Sequence, residues 1–201
     1  MWLAEAVDRV ERAIDQLVDD FAAHPFRHRV EHSLHLQLYR ALADHDQLDK
    51  LVAIGGSDRH AGLIHKEWPM SAADHGRRGL FDLVVLAPSQ LAIAGIDQYL
   101  QGRIEPPVAI EPGLGYGLAH LTDDITGLVD SHVPYGYIVH FSRLTAAKDT
   151  ATIERTLTTT PPNVRTAYAR ILPDGKIALK HLADDHVATS VPGNQPTAAS
   201  T

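Results

Sequence analysis

The sequence contains no cysteine. That excludes a disulfide framework and any thiolate nucleophile or metal ligand, and it fits a reducing compartment. It also lacks any run of about 18 apolar residues, the length a helix needs to cross a bilayer, so no membrane partner is expected. The first twenty residues, MWLAEAVDRVERAIDQLVDD, carry charges where a signal peptide keeps an apolar stretch, and a cytoplasmic protein is expected. Positive charge is in short supply too. Lys and Arg number 18 against 25 Asp and Glu, for a net charge of -7. A generally basic nucleic-acid coat is thereby excluded, though an enzyme with a local basic strip is not. What the chain does have is apolar content, 44% over 201 residues, enough for one globular domain with a core. It also has thirteen histidines, which make its charge sensitive to mild acid.

Leu3, Val7, Val10, Ile14, Leu17, Val18 and Phe21 recur at helical spacing and predict one amphipathic N-terminal helix, set apart as residues 1–26 and stopped by Pro25. A second helix is expected over 27–42, with Val30, Leu34, Leu38 and Ala41 on its core face. Strand signals follow in LIHKEWP, in RRGLFDLVVLAP and in PVAIE, with a short helical excursion between the last two. YGLAHLTDDITGLVDSH reads as a helix whose early acids suit its dipole. YGYIVHFSRL reads as a further strand. TIERTLTTTPPNVRTAYARI is mixed in character, KIALKHL suggests a last strand, and a disordered tail is expected over 188–201. Three strands close in sequence favour an antiparallel meander, and a fourth after a helix favours a parallel crossover. The fold class is therefore α/β, a mixed β-sheet flanked by helices in a single domain over 27–187.

Three acids sit where apolar residues are expected. Asp82 interrupts GLFDLVVL, Glu111 ends PVAIE, and Glu31 lies at the edge of the second helix's apolar arc. Strands disfavour aspartate, and a lone buried carboxylate is costly. Taken singly, each has an ordinary reading as a boundary acid that reaches solvent. Together they suggest more. Adjacent strands of a meander bring Asp82 and Glu111 side by side, and two such carboxylates repel unless a cation lies between them. Hard oxygen ligands suit Mg²⁺ or Mn²⁺.

The order of these elements, a helix with Glu31, a second strand with Asp82, a third ending in Glu111, then a helix and a fourth strand, resembles the PD-(D/E)xK, or restriction-endonuclease-like, nuclease superfamily. The resemblance spans about residues 27–144 and rests on VEHSLHLQLYRAL, IHKEWP, RGLFDLVVL, PVAIEPGLGYG and YGYIVHFSRL. It implies an αβββαβ core and metal-dependent cleavage of a phosphodiester, usually in DNA. Asp82, Glu111 and Glu31 would hold Mg²⁺ or Mn²⁺. The family usually has a lysine two residues after the second acid; here the sequence reads Glu111-Pro112-Gly113. Either a cation comes from elsewhere, with Lys66 of HKEWP the first candidate, or the domain binds metal or nucleic acid without cutting. Arg77, Arg78 and Arg143 are candidates for phosphate contacts, and a homodimer is left open.

Two other constellations compete. His24, His28, His32 and His35 are spaced by four, four and three. Imidazoles one turn apart can bind Zn²⁺, so a zinc protein built on the His28/His32/His35 face is the second alternative. His35 also follows Glu31 by one turn and is placed to support it. GLGYG is glycine-rich ahead of a helix but lacks the Walker spacing and lysine; Tyr116 within it is read as packing or lining the site. His140 reads as a core histidine.

Overall fold

The computed structural model describes residues 1–70, 79–143 and 147–188. Among them a six-stranded mixed sheet, ordered β3-β4-β5-β6-β7-β8, carries the fold. Its strands are β3 (Ile64–Pro69), β4 (Leu80–Val85), β5 (Val108–Leu114), β6 (Tyr135–Ser142), β7 (Val164–Ile171) and β8 (Ile177–Lys180). β3, β4 and β5 form the antiparallel meander, β5–β6 and β6–β7 are parallel, and β8 returns antiparallel. A two-stranded ribbon, β1 (Val52–Ala53) with β2 (His60–Ala61), precedes the sheet. No helix among the described residues is long and apolar enough to cross a membrane.

The first helix, α1 (Trp2–Ala23), is not a separate unit. Val10, Ile14 and Val18 are fully buried in the common core, and Phe21 meets Phe141 of β6 with ring centroids 4.6 Å apart. The second helix, α2 (Glu31–Ala43), starts later than the sequence suggests. Val30 is its extended N-cap and is exposed, and Ala41 is exposed as well. The buried stripe is instead Leu34, His35, Leu38 and Leu42, so the arc is rotated and a histidine is part of it. Helices α3 (Pro88–Ile93) and α4 (Ile96–Leu100) fill the excursion, and α5 (Leu118–Asp130) makes the crossover between β5 and β6. The mixed stretch resolves into α6 (Ala147–Thr158) and β7, and α7 (Ala183–Ala188) follows β8. The tail expected over 188–201 lies outside the described residues from 189 onward.

β5 does not end at Glu111; it runs on through Pro112 and Gly113 to Leu114. Its ladder with β4 covers only Leu83↔Ile110, Val84↔Ala109 and Val85↔Val108. Beyond Leu83 the two strands part, while β5 stays paired with β6 over its whole length. The result is a fork between β4 and β5. Pro112 is tolerated there because its missing N–H would face the open side, where no ladder bond is made.

Candidate metal centre in the strand fork

The open edge of β5 exposes backbone groups that need partners. α2 supplies them. His35 Nε2 donates to Pro112 O at 2.9 Å, and Leu114 N donates to Glu31 Oε2 at 3.2 Å. This docks the first turn of α2 on the fork and turns Glu31 inward, leaving its side chain 19% exposed. From the other strand, Asp82 N donates to Glu111 Oε2 at 3.3 Å in place of a ladder bond. Glu111 is buried, and its Oε1 has no partner. One ligand atom each from Glu31, His35 and Asp82 lies within 4.8 Å of the others. Residues from a helix and two strands, far apart in sequence, therefore converge at one point.

The electrostatics are those of crowded acids. Burial first, then the charges of Asp82 and Asp124, push the Glu111 carboxyl well above its usual pKa. Asp82 is raised by burial, against the lowering effects of His35 and the Glu111 hydrogen bond. Asp124, on α5, is raised to about 6 by burial, partly offset by His120, with Asp82 and Glu31 adding to the rise. Sequence reading missed Asp124 because acids early in a helix already have a sufficient explanation in its dipole. Its place in the second turn of α5, right after a glycine-rich loop, was the available signal.

His35 faces three oxygens: Pro112 O, Glu31 Oε1 at 3.5 Å and Asp82 Oδ2 at 3.7 Å. The carbonyl can only accept, so Nε2 carries the proton, and Nδ1 is buried without a partner. Moving the proton to Nδ1 would bury an unmet N–H. His35 Nε2 therefore donates and orients the acids, and among the described residues the group close enough together to hold a cation is Glu31, His35 and Asp82. The histidine face fares differently: His28 Nε2 bonds to Gln37 Oε1 at 2.6 Å, and His28, His32 and His35 form no ligand group among the described residues. Of these three histidines only His35 lies on the buried stripe.

The expected cations are not at the fork. Lys66 pairs with Leu83, the neighbour of Asp82, so strand alternation sends its side chain to the opposite face. Glu67 beside it has φ 54° and drops out of the ladder. The Lys66 charge still lowers Asp82, as the smallest of five influences, and Lys66 makes no ion pair among the described residues. Position 113 is closed: a Cβ on Gly113 would come within 2.6 Å of Tyr116 Cδ2. The Tyr116 ring lies over that backbone, tilted against His120 with centroids 3.8 Å apart, and its hydroxyl bonds to Glu31, which helps burial raise its pKa. Arg143 spends Nε on Pro25 O (2.8 Å) and Nη1 on Arg29 O (3.4 Å), with its guanidinium 5.8 Å from the Phe26 ring centre. These bonds clamp the α1–α2 loop, and Arg143 Nη2 is buried without a hydrogen-bond partner. Arg77 and Arg78 lie outside the described residues. No family model, curated protein or solved structure matches this chain.

Proposed function

We propose that the chain is a divalent-metal-dependent nuclease-like protein that hydrolyses phosphodiester bonds in nucleic acid, with DNA the expected substrate. One observation carries the reading: Glu31 and Asp82 converge with His35, and the buried Glu111, its Oε1 unpartnered, accepts from Asp82 N beside them, with no ammonium or guanidinium paired to these acids among the described residues. The element order α2-β3-β4-β5-α5-β6 also agrees with the αβββαβ core of the restriction-endonuclease-like superfamily. Glu31, Asp82 and Glu111 would hold Mg²⁺ or Mn²⁺, which supplies Lewis-acid polarisation of a phosphoryl oxygen and a more acidic bound water. His35 fixes the orientation of Glu31 and Asp82. Asp124, with its raised pKa, is suited to hold a proton beside the reacting phosphate. Tyr116 donates to Glu31 and shields the site from above Gly113.

The rival reading is a nuclease-fold domain that binds without cutting. It is favoured by a specific pair of observations: Tyr116 occupies the space over Gly113, and Lys66 leaves from the other face. A cleavage assay on mixed DNA and RNA, with Mg²⁺ or Mn²⁺ against EDTA, tests the choice. Metal-dependent cleavage that Asp82→Ala reduces at least about a hundredfold supports the nuclease. Metal-dependent stabilisation without cleavage supports the binding domain. Neither effect in the wild type would sink both.

A further inference from the structure

His140 and Arg170 are buried side chains that the acid fork does not use. Strand alternation fixes where they point. Tyr137 and Arg165 are register partners, and both reach Glu11 on α1. Their face of β6 and β7 is therefore the α1 face. The intervening pairs Ile138↔Thr166, His140↔Tyr168 and Ser142↔Arg170 look the other way, where Thr166 Oγ1 donates to Leu157 O of α6 at 2.6 Å. On β5 the same rows continue as Glu111↔Ile138 and Gly113↔His140. So His140 neighbours the very position where a lysine is missing. Arg170 lies two strands and four residues from Glu111 on the same face, about 16 Å between Cα atoms at ordinary strand spacings.

Both are unsatisfied. Arg170 is 1% exposed, has no ion pair among the described residues, and leaves Nε and Nη2 without a hydrogen-bond partner. The carboxylate that its charge feels most is Glu154 of α6, itself at the surface, and the two form no ion pair among the described residues. His140 is 2% exposed, with Nε2 unpartnered. Burial and the nearby Arg170 lower it to about 4, so its imidazole is neutral at pH 7. A buried guanidinium without a counter-charge is strongly destabilising. Moreover, Nε and Nη2 form an edge of the guanidinium that presents two parallel N–H groups and can grip two oxygens of a phosphate at once.

We infer that Arg170, assisted by His140, is a seat for a phosphate group on the face of the sheet that carries Glu111. The ligand chemistry is a tetrahedral phosphate. Its source is a backbone phosphate of the nucleic acid, flanking the one at the acids; that assignment rests on the proposed function, whereas the seat itself does not. Two N–H groups of Arg170 bind two phosphate oxygens, and neutral His140 donates to or accepts from a third. The net charge of -7 is no obstacle, since the seat is local and shielded.

The test uses the full chain in EDTA, so that no divalent metal takes part. Thermal melts compare inorganic phosphate with chloride at equal ionic strength, for wild type, Arg170→Met and Arg170→Lys. Anisotropy then reports binding of a labelled single strand and a labelled duplex. Phosphate is expected to raise the melting temperature of the wild type by several degrees. Arg170→Met should lose that shift, should melt no lower than wild type in chloride, and should bind the oligonucleotide about tenfold more weakly. Arg170→Lys keeps the charge but not the paired donors, and should recover part of the shift; it serves also if Arg170→Met fails to fold. No phosphate shift in the wild type overturns the seat, and so does Arg170→Met being equally destabilised in both buffers. A shift that needs Arg170 with unchanged oligonucleotide binding overturns the nucleic-acid source and leaves free phosphate. Absent Mn²⁺-dependent cleavage beside an intact, Arg170-dependent phosphate shift would sink the nuclease reading alone.

Discussion

Two clusters of acids border the same sheet and follow opposite rules. In the first, between α1 and the β7–β8–α7 end, each acid is answered in place. Glu11 accepts from Tyr137 Oη at 2.9 Å and from Arg165, and Asp15 accepts from the backbone of Leu182 and Ala183 at 2.7 and 3.2 Å. Asp185 pairs with Lys180 at 2.9 Å, and Asp19 with His181 at 2.8 Å. In the second, at the fork, the acids are met by neutral donors, Leu114 N and the Tyr116 hydroxyl at Glu31 and Asp82 N at Glu111, and by His35, His120 and the weak influence of Lys66, with no ion pair to a Lys or Arg among the described residues. The residue types are alike; their compensation is not. The first cluster ties α1 to the strands and is a staple. In the second, Asp82, Glu111 and Asp124 are raised by burial first and by neighbouring acids as well, an arrangement that costs stability and marks a site for a positive ligand.

The comparison breaks most visibly at the staple. Arg165→Met takes the guanidinium partner from the partly buried Glu11 and removes the donor to Leu182 O. Both side chains keep some solvent, so the loss should be about 2–4 kcal/mol, below that of a fully buried pair. Urea denaturation measures it, with the same loss expected in EDTA and in Mg²⁺. A loss under about 1 kcal/mol, as for an exposed pair, would remove the contrast between the clusters.

At the fork the expected sign is reversed. Glu111→Gln relieves like-charge repulsion and should be neutral or stabilising in EDTA. With Mg²⁺ or Mn²⁺ at a hundredfold excess over its dissociation constant, the wild type should gain roughly 2.7 kcal/mol and the variant little of it. Melts of both proteins with and without metal decide. If Glu111→Gln loses stability equally in both conditions, Glu111 is a structural acid like Glu11.

The fork should also make stability depend on pH in a way the staple does not. Asp124 titrates near 6 in the folded protein, above its ordinary value of 3.8, and Glu111 is raised as well. Between those values the folded state binds more protons than the unfolded, so stability falls as pH rises. For these groups the penalty is absent below the unfolded pKa and complete above the folded one. From about pH 4 to 7 the metal-free protein should lose on the order of 1–3 kcal/mol through this site, and saturating Mg²⁺ should flatten the slope. A metal-free slope unchanged by Asp124→Asn would refute it.

How much of this was readable beforehand follows from which physics each feature obeys. Asp82 and Glu111 stood out because each breaks an apolar run, and burial is local in sequence. Glu31 stood out on the helical wheel, though the true stripe includes His35, whose burial is explained only by its bond to Pro112 O. Lys66 could not be placed, because a single irregular residue such as Glu67 and a one-residue register decide which face it uses. The fork itself was invisible, since strand separation depends on a partner and not on either strand's composition. Asp124 and the Arg170 environment were hidden for the same reason: both arise from elements that meet only in three dimensions.

The smallest expected effect concerns the missing lysine, and it sharpens why the fork differs from the family pattern. Gly113 has no unusual backbone that demands glycine; the constraint is the Tyr116 ring, 2.6 Å from where a Cβ would stand. Gly113→Lys should therefore cost about 1–3 kcal/mol from overpacking and supply no charge to the acids, because Tyr116 bars its path. Tyr116→Phe keeps the ring and loses only the hydroxyl to Glu31, for about 1 kcal/mol. Tyr116→Ala opens the space, and in that background Gly113→Lys should become tolerated and should lower the pKa of Glu111, since an ammonium stabilises the carboxylate. NMR titration of the Glu111 side-chain carboxyl in the single and double variants measures this directly. A Glu111 pKa unmoved by the lysine in the Tyr116→Ala background would show that residue 113 does not look into the fork, and that the tyrosine does not stand in the lysine's place.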